Sequence, residues 1–180
     1  MPRFVALLRG INVGGNRKVP MAELRALAEE LGLGEPSTYV QSGNLVFAAR
    51  GQAPSLEARL EKGLEERFGF EVPVVVRDAA AWRALLAGNP WPALAREDPA
   101  HLLAGLAKAP LPKAAAGELL ERAQGKERVA LGGGALWIHY AAGIARSKLT
   151  PALLDRCAGS SVTARNWRTL TELASLLEDD

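Results

Sequence analysis

The hydrophobic pattern of this chain switches between strand-like and helix-like runs in the same order twice. In the first half, Phe4–Arg9 is apolar on both faces, which predicts a central strand, and a helix that opens at Pro20 carries leucines at helical spacing until Gly32. The next predicted elements are strands Thr38–Val40 and Leu45–Ala48, a helix capped by Ser55 and ended by Gly69, and strand Val72–Val76. The order is βαββαβ. Between the two short strands, Gly43-Asn44 predicts a tight type II′ turn.

The same order returns in the second half. The predicted elements there are strand Leu102–Ala107, helix Lys113–Gln124, strands Arg128–Leu131 and Ala135–Tyr140, helix Pro151–Cys157 and strand Val162–Arg165. A last helix from Trp167 to Leu177 is predicted to start with a capping box formed by Thr169 and Glu172. We therefore predict an α+β protein of two ferredoxin-like βαββαβ halves with antiparallel sheets.

The break between the halves is predicted from a helix and a proline-rich stretch. Asp78 is placed to cap a linking helix, and Asn89-Pro90-Trp91-Pro92 interrupts the pattern after it. We expect an N-terminal half over residues 1–78 and a linking helix with a Pro-rich junction over 79–100. The C-terminal half, with an added C-terminal helix, is expected over residues 101–180.

The chain carries no signal for a membrane. No apolar run approaches the roughly 20 residues that a membrane helix needs, and the N-terminal apolar stretch is too short for a signal peptide. We therefore expect a cytoplasmic protein without a membrane partner. Arginine outnumbers lysine sixteen to six, and Asn plus Gln total only eight, a composition associated with a GC-rich or thermophile source.

Cysteine and histidine usage limits the chemistry. Cys157 is the only cysteine, which excludes an intramolecular disulfide and a cysteine metal site, and neighbouring leucines predict a buried thiol. His101 and His139 have no second ligand at metal spacing. The sequence therefore predicts neither a metal site nor a cofactor.

The net charge of +2 argues against a protein that coats nucleic acid along its whole surface. The charge is nevertheless uneven. Residues 1–21 carry four basic residues and no acid, and residues 128–171 carry six basic residues against Asp155 alone, whereas residues 22–127 hold twelve basic and fifteen acidic residues. The C-terminal end adds four acids: Glu172, Glu178, Asp179 and Asp180. The positive excess falls on two sets of loops.

The expected strand order, 4-1-3-2, brings these loops together. Strand three lies beside strand one, so the loop Arg9–Lys18 is expected next to the hairpin Gln41–Asn44. In the second half, the ends of two strands share an edge, which places Gly143–Lys148 near Arg165–Trp167. Whether the two loop clusters form one site stays open.

Glycine-rich loops with Asn, Gln, Arg and Lys favour anions, because bare backbone N–H groups approach an oxyanion closely and the side chains add donors. Gly10 and Gly15 have the spacing of a P-loop, but Asn16-Arg17 stands where Lys-Ser/Thr is required. We also predict that Arg9, Lys18 and Arg146 line concave surface. The predicted ligand-binding residues are Arg9, Asn12, Gly14, Gly15, Asn16, Lys18, Gln41, Ser42, Gly43, Asn44, Arg146, Ser147, Lys148, Arg165 and Asn166.

The same loops carry a family resemblance. The segments are ALLRGINVGG at 6–15, VPMAEL at 19–24, TYVQSGNLVF at 38–47, NP at 89–90, GIARSKLT at 143–150 and TARNWRT at 163–169. Through them the chain resembles the domain of unknown function 1697 family over nearly its whole length. The resemblance implies a bacterial cytoplasmic protein with a ferredoxin-like α+β fold, and it brings no established substrate, cofactor or catalytic residue.

Three functions stay open. The first is binding of a phosphate-bearing or other anionic ligand, with a nucleotide favoured over nucleic acid because the central strands offer only Phe4 and Phe47 for base stacking. The second is an enzyme of unknown reaction that uses the same loops. The third is a protein-interaction module. The sequence leaves the oligomeric state open between a monomer and a small homo-oligomer.

The enzyme and the interaction module each depend on particular residues. Candidates for acid–base or nucleophilic work are Ser42, Ser147 and Lys148, none of which has a base partner visible in the sequence. An interaction module would need exposed anchors, for which the candidates are Trp82, Trp91 and Trp137.

Overall fold

The computed structural model describes residues 1–178 and has two four-stranded sheets. Its strands are β1 (Arg3–Leu8), β2 (Gly34–Thr38), β3 (Asn44–Ala48), β4 (Val74–Asp78), β5 (Leu102–Ala107), β6 (Arg128–Gly132), β7 (Ala135–His139) and β8 (Val162–Asn166). Its helices are α1 (Met21–Glu30), α2 (Ala53–Phe68), α3 (Ala79–Ala87), α4 (Pro92–Glu97), α5 (Ala115–Arg122), α6 (Pro151–Ala158) and α7 (Trp167–Glu178). All the strand pairs are antiparallel, which confirms the predicted α+β fold with two similar halves. Asp179 and Asp180 lie outside the described residues.

The chain divides into two compact units. The first unit consists of Met1–Trp82 together with the segment that begins at Glu172, and the second consists of Arg83–Thr171. Each unit contains one complete sheet. A side-chain contact ties the C-terminal segment to the first unit, because the Arg3 guanidinium donates to the Leu176 carbonyl over 3.2 Å.

In the first unit the strand order is β2-β3-β1-β4, which is the expected arrangement. β1 is buried from Phe4 to Leu8, as its unbroken apolar sequence predicts, because β3 and β4 flank it. Alternate residues of the strands pack with the leucines that α1 and α2 carry at helical spacing. Each fully buried leucine contributes about 1.5–3 kcal/mol relative to exposure. The central members of this core are Phe4, Ala6, Leu8, Leu24, Leu45, Phe47, Leu56, Leu60 and Leu64.

The second unit repeats this arrangement with the order β6-β7-β5-β8. Leu136 and Ile138 of β7 pack with Leu119 of α5 and Leu154 of α6. Cys157 lies in the same core, which confirms the predicted buried thiol, and burial raises the pKa of that thiol. Within residues 1–178, no helix combines the length and apolar content needed to cross a membrane.

The helix starts match the sequence predictions at some positions only. The Asp78 carboxylate accepts from the Ala81 N–H over 2.7 Å, which confirms its capping role at α3. The Ser55 cap is wrong, because α2 already begins at Ala53, with a proline in its first turn.

The capping box predicted at Thr169 and Glu172 is also wrong. The side-chain oxygen of Asn166 accepts from the Thr169 N–H over 3.0 Å, so α7 starts directly after β8. Asparagine is as good an N-cap as threonine. Because β8 ends at Asn166, the helix begins directly after it, and Asn166 is the cap instead of Thr169.

The hairpin between β2 and β3 differs from the predicted tight turn. β2 ends at Thr38, and the Tyr39 N–H bonds to the Asn44 carbonyl over 3.1 Å, which leaves a longer loop. Val40, predicted to end the strand, has φ 50 and cannot continue it. The strand instead extends back through Pro36, which an edge strand tolerates.

Candidate ligand-binding site

The loop after β1 folds back on itself as a small hairpin. The Asn12 N–H donates to the Arg17 carbonyl over 3.0 Å, and the Asn16 N–H donates to the Val13 carbonyl over 3.1 Å. Gly14 and Gly15 form the tip with φ of 60 and 77. Two successive left-handed residues make the turn that matches strand twist, and glycine adopts them without strain.

The Asn12 side chain joins this loop to the β2–β3 hairpin. Its amide N–H groups donate to the carbonyls of Val19 over 3.0 Å and Gln41 over 2.8 Å, and its oxygen accepts from the Val19 N–H over 2.8 Å. The Leu8 N–H also donates to the Gly43 carbonyl over 2.8 Å. These contacts confirm that the two polar loops lie side by side. The hydrogen-bonding capacity of the Asn12 amide is used to hold them.

Gly43 and Asn44 build the hairpin from within. Gly43 has φ 89, and a Cβ added to it would lie 2.7 Å from the Leu8 Cβ, so a larger residue does not fit there. The Asn44 side chain is fully buried and donates to the Tyr39 carbonyl over 2.9 Å and the Ser42 hydroxyl over 3.0 Å. Because both residues are buried, they shape the loop from below its surface.

The Arg17 side chain is engaged within the loop system. Its Nε donates to the Gly10 carbonyl over 2.9 Å, and its guanidinium also donates to the Glu71 carbonyl. The guanidinium carbon lies 4.8 Å from the centre of the Phe70 ring, a cation–π distance. Arg17, at φ 52, therefore ties the loop to the segment before β4.

A depression opens where the two loops meet. It has a volume of about 450 Å³ and is lined by Asn12, Gly15, Lys18, Pro20 and Gln41. Lys18 is exposed and forms no ion pair within residues 1–178. Open space surrounds the Gly15 Cα on the side where a Cβ would stand. The arrangement offers one ammonium group and accessible backbone to a ligand.

The predicted residues of the second loop cluster line a different depression. Arg146, Ser147 and Lys148 border a space of about 220 Å³ together with Gly125 and Glu127. Neither Arg165 nor Asn166 is among its described lining residues, so these predicted site residues do not share one depression. Lys18 lines the first depression and Arg146 the second, whereas Arg9, the third residue predicted to line concave surface, is among the described lining residues of neither. Arg9 is half-buried.

Glu127 is a functional candidate that no sequence pattern indicated. Its carboxylate accepts from the Ser147 hydroxyl over 2.7 Å, while the Ser147 oxygen accepts from the Leu149 N–H over 3.1 Å. The hydroxyl hydrogen bond is the main reason that the pKa of Glu127 is lowered. The carboxylate is therefore ionised near neutral pH and opposes an anion beside Arg146.

Arg165 and Asn166 both form hydrogen bonds with residues of their own segment. The Arg165 guanidinium donates to the Ala164 carbonyl over 2.9 Å, and burial lowers the pKa of Arg165 to about 10. Asn166 caps α7 through the side-chain bond described above.

A second cluster that sequence analysis missed joins both histidines to one carboxylate. Asp98 contacts the Nδ1 of His101 over 2.8 Å and the Nε2 of His139 over 2.9 Å. The bond to His139 is the main cause of the lowered pKa of Asp98. Only the i,i+3 spacing of Asp98 and His101 was visible in the sequence. Among the described residues, no three His, Cys, Asp or Glu side chains converge in a way that could hold a metal ion.

The tryptophans proposed as interaction anchors are mostly inaccessible. Trp82 and Trp137 are 1% and 0% exposed, and Trp91 is half-buried. The Trp137 Nε1 donates to the Gly132 carbonyl over 2.9 Å, and its ring lies 5.9 Å from that of Trp167. Trp82 and Trp137 therefore serve the core and supply no surface anchor.

Comparisons with known proteins bear on the fold and the family. The family described as a protein of unknown function (DUF1697) matches residues 1–137. The solved structure of a conserved bacterial protein from Streptococcus pneumoniae is similar, with a TM-score of 0.73 and 24% identity, and the match covers 98% of this chain and 99% of that chain. At that identity the likeness concerns the fold alone. A comparison with curated proteins found no match.

Proposed function

Because the chain belongs to the DUF1697 family of proteins of unknown function, whose description names no activity, we propose a function from the geometry of the site. We propose that the protein binds a phosphate-bearing or other small anionic ligand in the depression between the β1–α1 loop and the β2–β3 hairpin. The observation that carries the proposal is Lys18, an exposed cation without an ion pair among the described residues, which lines a depression beside Gly15.

The chemistry of the lining supports an anion. The Lys18 ammonium supplies charge, the Gly14-Gly15 tip exposes backbone without side chains, and the Gln41 amide adds a directional donor. No acidic residue is among the described lining residues. A phosphate group would therefore meet donors without a competing carboxylate, in contrast to the depression that contains Glu127.

The site is also preformed. The three Asn12 hydrogen bonds and the Arg17 contacts hold both loops before a ligand arrives. Ordering mobile loops on binding costs free energy, so a clamped pair of loops leaves more of the interaction energy for affinity.

Catalysis is less well supported than binding. The Ser42 hydroxyl accepts from the buried Asn44 amide, a group that cannot act as a base. The Ser147 hydroxyl bonds to Glu127, whose lowered pKa makes it a weak base. A serine nucleophile needs a stronger partner than either.

The test is a thermal-shift panel of inorganic phosphate, mononucleotides and short RNA and DNA. A ligand at 100 times its Kd adds about 2.7 kcal/mol, which raises the Tm of a protein of this size by roughly 5–10 °C. We expect such a shift in wild type and its loss in Lys18→Met.

The matched control removes a lysine elsewhere in the same unit. Lys62 is exposed on α2 beside Glu66, so Lys62→Met removes one positive charge without touching the loops. The control should keep the ligand shift. Equal loss of the shift in both variants would point to general charge attraction and would reject the site, as would the absence of any shift across the panel.

A further inference from the structure

Two exposed valines stand next to the hydrogen bond that joins the loops of the site. Val13 is 67% exposed and follows Asn12, and Val40 is 52% exposed and precedes Gln41. The Asn12 amide and the Gln41 carbonyl are 2.8 Å apart. Asn12 and Gln41 line the depression that holds Lys18, and each of these residues has an exposed valine as its neighbour in the chain.

The backbone conformation of Val40 also costs free energy in the unliganded protein. Its φ of 50 lies in the left-handed region, where a β-branched residue is strained and Asn or Gly is not. Its exposed side chain recovers little of that strain through burial. Residues with strained backbone are enriched at active sites and at segments that hold ligands.

The charge of the site limits the size of the anion. Lys18 is the exposed cation in the lining, whereas the Arg17 guanidinium is engaged by two carbonyls and the Phe70 ring. One ammonium group with nearby backbone amides suits one phosphoryl group, and an extended polyanion would need several cations. The volume of about 450 Å³ lies within the range of small-molecule sites.

We infer that the ligand is a small phosphate ester with an apolar group, that Lys18 and the Gly14-Gly15 tip take its phosphate, and that Val13 and Val40 contact its apolar group. This inference rests on the proposed function and adds to it the apolar group of the ligand.

The experiment is an NMR titration of ¹⁵N-labelled protein that follows the Gly14 and Gly15 amides. The probes are inorganic phosphate and phenyl phosphate, which differ by one apolar ring. Covering a valine-sized apolar surface corresponds to about tenfold in affinity, so we expect phenyl phosphate to bind at least about ten times more tightly than phosphate.

The variant Val40→Asn separates the contact from the fold. Asn accepts left-handed φ, so we expect this variant to melt roughly 2–4 °C higher than wild type. We expect it to bind phosphate as wild type does and to lose most of the preference for phenyl phosphate. Ile144→Asn, which removes an exposed apolar residue of the second unit, is the control and should keep the preference.

The outcomes distinguish the two proposals. If phosphate binds through Lys18 but phenyl phosphate binds no better, the apolar contact is rejected and the anion site stands. If Val40→Asn keeps the preference, the assignment of Val40 is overturned. If neither probe moves the Gly14 and Gly15 amides, the proposed function itself fails. A short oligonucleotide that binds far more tightly, with a salt dependence of several phosphates, would replace the small ester by nucleic acid.

Discussion

The β2–β3 hairpin of the first unit and the β6–β7 hairpin of the second occupy equivalent places in the same strand order, but their surroundings differ. The first is a longer loop joined by Asn12 to its neighbour, beside an open depression. The second is a short glycine turn packed against the end of α3. A Cβ added to Gly133 would lie 2.4 Å from the Ala84 carbonyl oxygen, and one added to Gly132 would lie 2.2 Å from the Gly88 carbonyl oxygen.

The two units share one strand order, but the hairpin is covered in the second unit and open in the first. In the second unit, backbone packs on backbone at the hairpin, and the equivalent edge is covered. In the first unit the loops hold each other by a side chain. Three of the four non-glycine residues of this unit with left-handed φ lie in these loops, namely Asn12, Arg17 and Val40, whereas the fourth, Glu35, lies in β2. A β-branched residue such as Val40 is strained in this region, whereas Asn12 adopts it readily. The open edge therefore combines the strained Val40 with the depression that holds Lys18, and both observations support the proposed binding edge.

The largest effect should come from filling the covered hairpin. Gly133→Ala places a methyl group against the backbone of α3 at left-handed φ, so we expect a loss of about 3 kcal/mol or more in the free energy of unfolding. Gly134→Ala is the matched control, because Gly134 has φ 77 but open space around it, and about 1 kcal/mol should be lost there. Urea unfolding measures both. Equal losses at the two positions would mean that α3 does not press on the hairpin, and the contrast between the units would disappear.

A smaller effect is expected from releasing the open edge. Asn12→Ala leaves the Val19 N–H and the carbonyls of Val19 and Gln41 without their partner, and we expect a loss of about 2 kcal/mol. The loops should also loosen, so amide exchange at Val19 should accelerate more than at Leu24 inside α1. Asn16→Ala, on the exposed part of the same loop, is the control and should change neither quantity. Unchanged exchange at Val19 would show that the loops do not depend on the clamp.

Much of this architecture follows from sequence patterns. The strand order placed the β1–α1 loop beside the β2–β3 hairpin, because strands one and three must be neighbours in a βαββαβ sheet. The unbroken apolar run of β1 fixed its central position. The local capping signal was correct at Asp78 and wrong at Ser55, where α2 begins two residues earlier.

The missing parts depend on contacts between distant residues. No local pattern shows that Asn12 bonds to Gln41, that Ser147 bonds to Glu127, or that Asp98 lies between two histidines. Periodicity places a residue on a face of a strand, but it does not give the direction of a loop side chain. Val40 illustrates the limit, since a β-branched residue predicts a strand, but Val40 lies in the loop after β2 with left-handed φ.

The smallest effect concerns the loop after β7, which Tyr140 anchors in a different way from the Asn12 clamp. Its hydroxyl donates to the Leu149 carbonyl over 3.0 Å, and Tyr140→Phe should lose about 1 kcal/mol at neutral pH. Burial, with a smaller contribution from Glu127, raises the pKa of Tyr140 to about 12 from an ordinary value of 10.0. The neutral form is therefore favoured in the folded state. The stability that the neutral hydroxyl contributes is complete below pH 10 and is lost as the pH rises towards 12.

Wild type should lose stability over this interval more steeply than Tyr140→Phe, as followed by urea unfolding at several pH values. Tyr39→Phe, which removes the other tyrosine from a half-buried position, should leave the alkaline slope in place. If Tyr140→Phe keeps the wild-type slope, the hydroxyl does not anchor this loop, and the two units differ less in how their loops are held than the structure indicates.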